Sequence, residues 1–505
     1  MGYAKVRSVA LLGMAGQVVT VEADVTAGLP SLVVSGLPDT ALSESRDRVR
    51  AAVLNSGERW PQQRLTVNLL PAHLPKHGSG FDLAVAVTLL AASGALPSRF
   101  LESAAIFGEL GLDGTVRPIR GMLPAVIAAA RSGIRHVIVP VDNAGEASLV
   151  PDVTVRATDS LGRLIAFARG AGSLLEPPAA GPAPAFAGPD LTDVLGQDRG
   201  RRAIELAAAG GHHLALFGPP GAGKTMLAQR LPGILPPLDD AAALEVTAVH
   251  SIAGALPADG VLVRRPPYQA PHHTATEAAL VGGGSGLARP GAISLAHHGV
   301  LFLDEAPEFR SSALDALRQP IEDGEVRLRR AHGETVYPSR TQVVLAANPC
   351  PCANAAGDRY CECSALVRRR YLGRISGPLL DRVDLQVTLQ PVSAAALLGD
   401  AGFAEPSTVV AARVAEARAA AAQRWAGHGR CNASVPSTVL RGRGHRLPRT
   451  VLAAAAKAVD QGRLSARGYD RVMRIAWTVA DLDGRARPDA GDVAEALELR
   501  TRGAT

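Results

Sequence analysis

Residues 214–231 read LALFGPPGAGKTMLAQRL. Four apolar residues suited to a buried strand run into a glycine-rich loop, and the loop runs into a helical pattern. Each residue of the loop, from Gly218, Pro219, Pro220, Gly221, Ala222 and Gly223 to Lys224 and Thr225, fits one chemical task. The glycines let backbone N–H groups close around phosphate oxygens, the lysine meets the outer phosphates, and the threonine hydroxyl faces Mg²⁺. Strand, loop and helix in this order form a complete Walker A motif, with ATP and Mg²⁺ as its expected cofactors.

Downstream, Val300–Glu305 reads VLFLDE and Val343–Asn348 reads VVLAAN. Both look like buried parallel strands ending in polar groups. In that position Asp304 holds Mg²⁺, Glu305 orients and deprotonates the attacking water, and Asn348 hydrogen-bonds the γ phosphate or that water. Phosphoryl transfer needs more positive charge than one lysine and one Mg²⁺ provide. Arg382, read as a polar turn after a helical stretch in SGPLLDRVDL, and Arg467, at a helix start in LSARGYDRVMR, are the candidates. Surface salt bridges are the ordinary alternative for both.

Outward from this centre the chain divides. The stretch Glu176–Pro189, EPPAAGPAPAFAGP, is almost wholly proline, alanine and glycine and reads as an extended tether. Before it, strand-like runs (Val18–Val25, Leu65–Leu69, His136–Val139) alternate with helix-like ones (Ser43–Asn55, Leu83–Ala92, Pro124–Ser132), the pattern of an α/β domain. After it comes a doubly wound α/β core, and from about Pro391 only helical segments follow. The expected boundaries are 1–172, a linker at 173–190, 191–391 and 392–505.

At 505 residues two or three domains are expected. A formal charge of +6 and a pI near 9.3 permit contact with nucleic acid. No apolar run is long enough to cross a bilayer, so no membrane partner is expected, and Lys5 to Ala15, which faintly resembles a secretion signal, runs straight into the strand-like Gln17 to Val25 and reads as folded structure. Five cysteines, four of them crowded together, argue for a reducing compartment, the cytoplasm. Those four, Cys350, Cys352, Cys361 and Cys363, form C-x-C-x8-C-x-C. Four thiolates can close a structural tetrahedral Zn²⁺ site, and buried inert thiols are the alternative. Gly324–Pro338 alternates like a hairpin whose tip carries Arg329, Arg330 and His332, groups able to grip phosphates without reading bases, or simply solvated charges.

The succession GPPGAGKT, APHHTATEAALVGGG, RPGAISLAHHGVLFLDEAPEF, LRQPIEDGEV, ANPCPC, SGPLLDRVDL and LSARGYDRV resembles the magnesium-chelatase-like AAA+ proteins of the YifB/ComM family over nearly the whole chain. The resemblance implies a Lon-protease-like N-terminal α/β domain, an AAA+ P-loop core with a parallel sheet, and a C-terminal helical lid. It implies that Arg382 is an arginine finger offered to a neighbour's ATP, that Arg467 is a second sensor, and that the chain forms a homohexameric ring. In related ring motors the hairpin lines the channel, and the CPC pair is a family feature, although Ala353 replaces the family's glycine.

The first domain resembles the Lon catalytic domain through PKHGSGFDLAVAV (Pro75–Val87) and Phe107–Pro140, but Gly80 stands at the serine position and Leu123 at the lysine position. Without that dyad Ser79 has no activating base, so assembly, substrate contact or regulation is expected of this domain. The expected function is a DNA motor for branch migration or unwinding in recombination or DNA uptake. A chelatase-type motor for metal insertion into a tetrapyrrole and an ATP-driven protein remodeller are the alternatives.

Overall fold

The structure, a computed structural model, describes residues 2–36, 44–97, 101, 103–178, 188–256, 262–284, 288–330, 333–353, 361–392 and 404–500. His332 and most of the tether (179–187) lie outside them.

The first domain is built on a seven-stranded sheet: β1 (Gly2–Leu12), β2 (Ala15–Thr26), β3 (Ser31–Ser35), β4 (Arg64–Leu70), β5 (Ala104–Ile106), β6 (His136–Pro140) and β7 (Thr154–Thr158), in the order β3-β4-β2-β1-β5-β6-β7. Strand β1 shows why these residues pair: Ala4, Val6 and Ser8 are buried while Tyr3, Lys5 and Arg7 point outward, a period of two. The segment that faintly resembled a secretion signal is thus a strand, paired along its length with β2. The helix Asp82–Ala92 is apolar almost all round and is buried almost all round. Leu175 bridges to Ala157, so this domain reaches slightly past the expected boundary at residue 172.

The second sheet comprises β8 (Leu214–Phe217), β9 (Tyr268–Gln269), β10 (Val300–Leu303), β13 (Gln342–Ala347) and β14 (Leu385–Thr388). A separate hairpin of β11 (Glu325–Arg330) and β12 (Gly333–Pro338) lies between β10 and β13 in the chain. The five strands are all parallel in the order β9-β10-β13-β8-β14. Every residue of β8, β10 and β13 is buried, as expected of strands covered on both faces. The helices Ser407–Arg424, Arg449–Asp460, Ala466–Leu482 and Ala490–Arg500 form the C-terminal lid. One continuous apolar cluster joins lid to core: Leu214, Leu216 and Val344 belong to it, as do Trp425 and Trp477, whose rings meet edge-on at 5.5 Å.

A buried polar knot backs that cluster. Asp384, 2 % exposed, accepts the His213 backbone N–H at 3.0 Å and pairs with Arg471 of the lid. Burial opposes the charge on Asp384, yet Arg471 and the neighbouring histidines hold its carboxyl well below the usual range.

The first domain docks on the second at two places. Gly121 donates its N–H to Ser251 O at 3.2 Å, and Ala248, on the same helix (Asp240–Ala253), completes an apolar cluster of the first domain. The β1–β2 turn presses on the hairpin: Gly13, at φ +63, lies so near Thr335 that a Cβ would fall 2.4 Å from its methyl group.

Removing one partner of a buried pair leaves the other charge uncompensated. Asp384→Ala should therefore cost about 3–5 kcal/mol at neutral pH, read as a lower midpoint of denaturant unfolding. Because the folded-state pKa is depressed, the pair's contribution is complete above the ordinary carboxylate value and is lost as pH falls through the folded value. The gap between variant and wild type should accordingly narrow in acid.

Candidate active site

All the expected nucleotide residues except the two arginines meet at the carboxyl edge of the second sheet. The phosphate loop follows β8, Asp304 and Glu305 follow β10, and Asn348 follows β13. Gly221 and Gly223 take φ of +76 and +86, conformations that keep side chains out of the phosphate cradle. Lys224, only 8 % exposed, donates from Nζ to Gly218 O at 2.7 Å, Pro219 O at 2.9 Å and Asn348 Oδ1 at 2.9 Å. Burial lowers its pKa, an effect that Asp304 and Glu305 oppose. Thr225 Oγ1 donates to Asp304 Oδ2 at 2.8 Å. A hydroxyl and a carboxylate this close fit the donor set of an Mg²⁺ that keeps several waters.

Glu305 adopts a left-handed backbone, φ +50, which costs a non-glycine residue on the order of 1 kcal/mol. Its side chain is exposed, and Oε2 lies 3.4 Å from His273 Nδ1. His273 belongs to the quoted APHHT motif but had no assigned role. The preceding strand, β9, has only two residues and shows no periodicity from which its end could be read.

The two arginines stand elsewhere. Arg382 is the last residue of the helix Gly377–Arg382 rather than part of a turn, three positions before β14. It is on the amino edge of the sheet, about 13 Å from the carboxyl edge for a four-residue strand. There Nη1 donates to Pro378 O at 2.9 Å and Nη2 pairs with Glu322. Arg467 is exposed in the first turn of Ala466–Leu482 and makes no side-chain bond among the described residues. Its helix lies across the same amino edge, with Arg471 on Asp384 and Thr478 Oγ1 2.8 Å from His212 Nε2. Neither arginine is brought to the phosphate loop of its own chain. A cavity of about 800 Å³, lined in part by His213, Glu322, Arg340, Arg418 and Arg430, also opens on this edge, away from the phosphate loop.

Two further clusters have ligand-like composition. The Sγ atoms of Cys350, Cys352, Cys361 and Cys363 all lie within 4.8 Å of one another, a convergence that fits tetrahedral thiolate coordination. Burial pushes the Cys350 thiol up to about 12, while a hydrogen bond with Cys350 and a backbone N–H hold Cys361 down to about 7. The second cluster, Glu245 with His297 and His298, reads differently. The Arg340 N–H donates to His297 Nδ1 at 3.1 Å, so the other nitrogen of that ring carries the proton. It therefore donates to Glu245 Oε2 at 3.1 Å, and the cluster is a hydrogen-bonded tie between the docking helix and β10.

In the hairpin, Arg329 is highly exposed and pairs with Glu334 at 3.3 Å, and Arg330 is exposed beside it. In the first domain, Leu123 is fully buried, Lys76 is tied by Nζ to the carbonyls of Gly36, Leu69 and Pro71, and Ser79 donates to Glu109. No lysine faces Ser79 among these bonds.

Comparison with known proteins agrees with this geometry. Models described as magnesium chelatase, subunit ChlI match residues 190–397; subunit ChlI of Mg-chelatase, residues 21–143; and magnesium chelatase, subunit ChlI C-terminal, residues 404–500. The chain is 53% identical to protein Rv2897c of Mycobacterium tuberculosis over 505 residues, covering 100% of both. It is 40% identical to protein YifB of Escherichia coli over 483 residues (96% of this chain, 94% of that protein). It is also 40% identical to competence protein ComM of Haemophilus influenzae over 512 residues (99% and 98%). Three matched segments in the order of the three observed domains, and relatives aligned nearly end to end, place this chain in the YifB/ComM family of magnesium-chelatase-like AAA+ ATPases.

Proposed function

We propose that the chain is a ring-forming DNA motor, a homohexamer that uses ATP hydrolysis for branch migration or unwinding in recombination or DNA uptake. The observation that carries the ring is the separation of charges: the phosphate loop lies on one edge of the sheet, and Arg382 and Arg467 lie on the other. A complete site then needs two chains, with Lys224, Thr225, Asp304, Glu305 and Asn348 from one and Arg382 and Arg467 from its neighbour. Lys224 and the loop amides bind the phosphates, Thr225 and Asp304 hold Mg²⁺, and Glu305 takes the proton of the attacking water. Mg²⁺ supplies charge neutralisation between the phosphates when bound.

DNA as the substrate is supported by the exposed Arg329 and Arg330 on the hairpin, by the basic balance of the chain, and by a relative named as a competence protein. A chelatase-type role is favoured by the descriptions of the matching family models, but the chain lacks the D-x-S-x-S metal motif of the chelatase partner subunit. A protein remodeller would share the same engine. The first domain we read as peptidase-dead, because a buried leucine at the lysine position and a Lys76 committed to three carbonyls leave Ser79 without the lysine of a Ser–Lys dyad. The four cysteines we read as a structural Zn²⁺ site with no open position for chemistry.

The engine is tested by substitution and mixing. Lys224→Ala should lose ATP binding, while Glu305→Gln and Arg382→Ala should bind ATP and hydrolyse it at least 10²-fold more slowly. Mixing Arg382→Ala with Lys224→Ala subunits should restore part of the turnover, since some interfaces then pair an intact loop with an intact arginine. Mixed rings that stay inactive would place Arg382 outside catalysis.

For zinc, metal analysis of the purified chain should find one zinc per chain, lost in Cys350→Ser/Cys352→Ser. A metal-free wild-type protein with four titratable thiols would return the cluster to inert cysteines.

The substrate is tested by ATP turnover with single-stranded, duplex and four-way-junction DNA, at least one of which should stimulate it. Arg329→Ala/Arg330→Ala should weaken binding equally across unrelated sequences and flatten the salt slope by about one to two units. No stimulation by any DNA would favour the remodeller.

A further inference from the structure

The helix Ala365–Leu372, ALVRRRYL, follows the cysteine cluster and carries an uncommon surface. Leu366 is 75% exposed and Val367 43%. Arg369 and Arg370 are exposed, and neither makes an ion pair among the described residues. Isolated exposed leucines are ordinary. This one stands one helical turn from unpaired arginines on a short, firmly anchored element.

The anchors lead to the ATP site. At the start of the helix, Ser364 Oγ accepts the Val367 N–H at 3.4 Å, and Arg368 Nε donates to Cys363 O at 3.2 Å. Cys350, whose Sγ is 3.2 Å from that of Cys361, lies two residues after Asn348, the partner of Lys224. Beyond the helix, Arg374 Nη1 donates to Pro307 O at 3.1 Å and to Glu308 Oε2 at 3.2 Å, just after Glu305. Tyr371 is buried between these ends, its hydroxyl pushed up to about 12 by burial and by the charges of Glu308 and Glu305. The helix is therefore joined at one end, through the cysteine cluster, to Cys350, two residues from Asn348, and at the other to the segment just after Glu305.

Three consecutive arginines on a helix fan round it in steps of about 100°. That spread matches a run of phosphates better than a single carboxylate, and arginine binds phosphate with paired, charge-assisted hydrogen bonds. An apolar tip beside such arginines suits unstacked bases, against which leucine serves as a wedge.

We propose that this helix is a second DNA-binding site, distinct from the hairpin. Arg369 and Arg370 hold the phosphates of single-stranded or branched DNA, Leu366 lies against unpaired bases, and occupancy is reported to Asn348 and Glu305 through the two anchors. The proposal rests on the DNA-motor reading and assigns it a contact that also signals.

The test uses the full-length chain and fluorescence anisotropy with labelled single strands, blunt duplex and a four-way junction over a salt series. Arg369→Ala/Arg370→Ala should weaken binding to single strands and junction and flatten the salt slope by about one to two units. It should also raise the DNA concentration needed for half-maximal stimulation of ATP turnover. Leu366→Ser should weaken single-strand and junction binding while leaving duplex binding unchanged. Gel filtration and thermal melts of the same variants report assembly and folding.

Variants that bind every DNA with wild-type affinity and slope overturn the proposal. So does a loss of assembly with DNA affinity retained, which makes the helix a contact between copies of this chain. Loss of binding to anionic phospholipid vesicles with DNA binding retained overturns it as well, in favour of a membrane-surface contact. A wild-type chain that binds no DNA overturns the motor reading itself, whereas wild-type binding with unaffected helix variants removes only the helix.

Discussion

Lys224 holds the site together before any nucleotide arrives. A buried ammonium must find acceptors, and it finds them on the two strands that flank the site: the carbonyls of Gly218 and Pro219 after β8, and the amide oxygen of Asn348 after β13. The phosphate loop is thereby closed on itself and linked to the neighbouring strand. On the proposed reading, phosphate oxygens of ATP would take over from these acceptors and release Asn348. Thr225 and Asp304, now bonded to each other, would on the same reading turn to Mg²⁺. The groups to which the proposed catalysis is assigned therefore tie the ends of β8, β10 and β13 together.

What could be read from the sequence follows from how local each feature is. The phosphate loop, β8, β10 and β13 were legible because fully buried parallel strands leave continuous apolar runs, and the residues after them have narrow chemical roles. The lid helices were legible from their alanine-, arginine- and leucine-rich composition. Strands β9 and β14 were not, since β9 has only two residues and β14, LQVT, alternates apolar with polar residues instead of forming a continuous apolar run. The position of Arg382 relative to the sheet depends on β14, so its separation from the phosphate loop became visible only with the topology. His273 beside Glu305 and Arg471 on Asp384 depend on contacts between distant parts of the chain, for which no spacing rule exists. The peptidase-dead reading rests on two residues absent from their expected positions, and the structure adds that Leu123 is core and Lys76 is occupied.

The first domain is more than an appendage on a tether. It touches the helix Asp240–Ala253 and the β11–β12 hairpin. That helix is tied in turn through Glu245 to His297, a few residues before β10. A displacement of the hairpin therefore meets two domains, and one of its two paths leads back to the strand carrying Asp304 and Glu305. Two routes within the chain thus lead toward the proposed nucleotide site: from the hairpin and from the helix after the cysteine cluster.

The lid and the sheet share one apolar cluster, and that continuity limits how the protomer can change shape. Swinging the lid as on a hinge would split this buried cluster and expose its apolar side chains to water. Burial of this cluster thus opposes separation of lid from core. On the proposed ring reading, the work of each ATP cycle then falls on the seams between protomers, where Arg382 and Arg467 would stand.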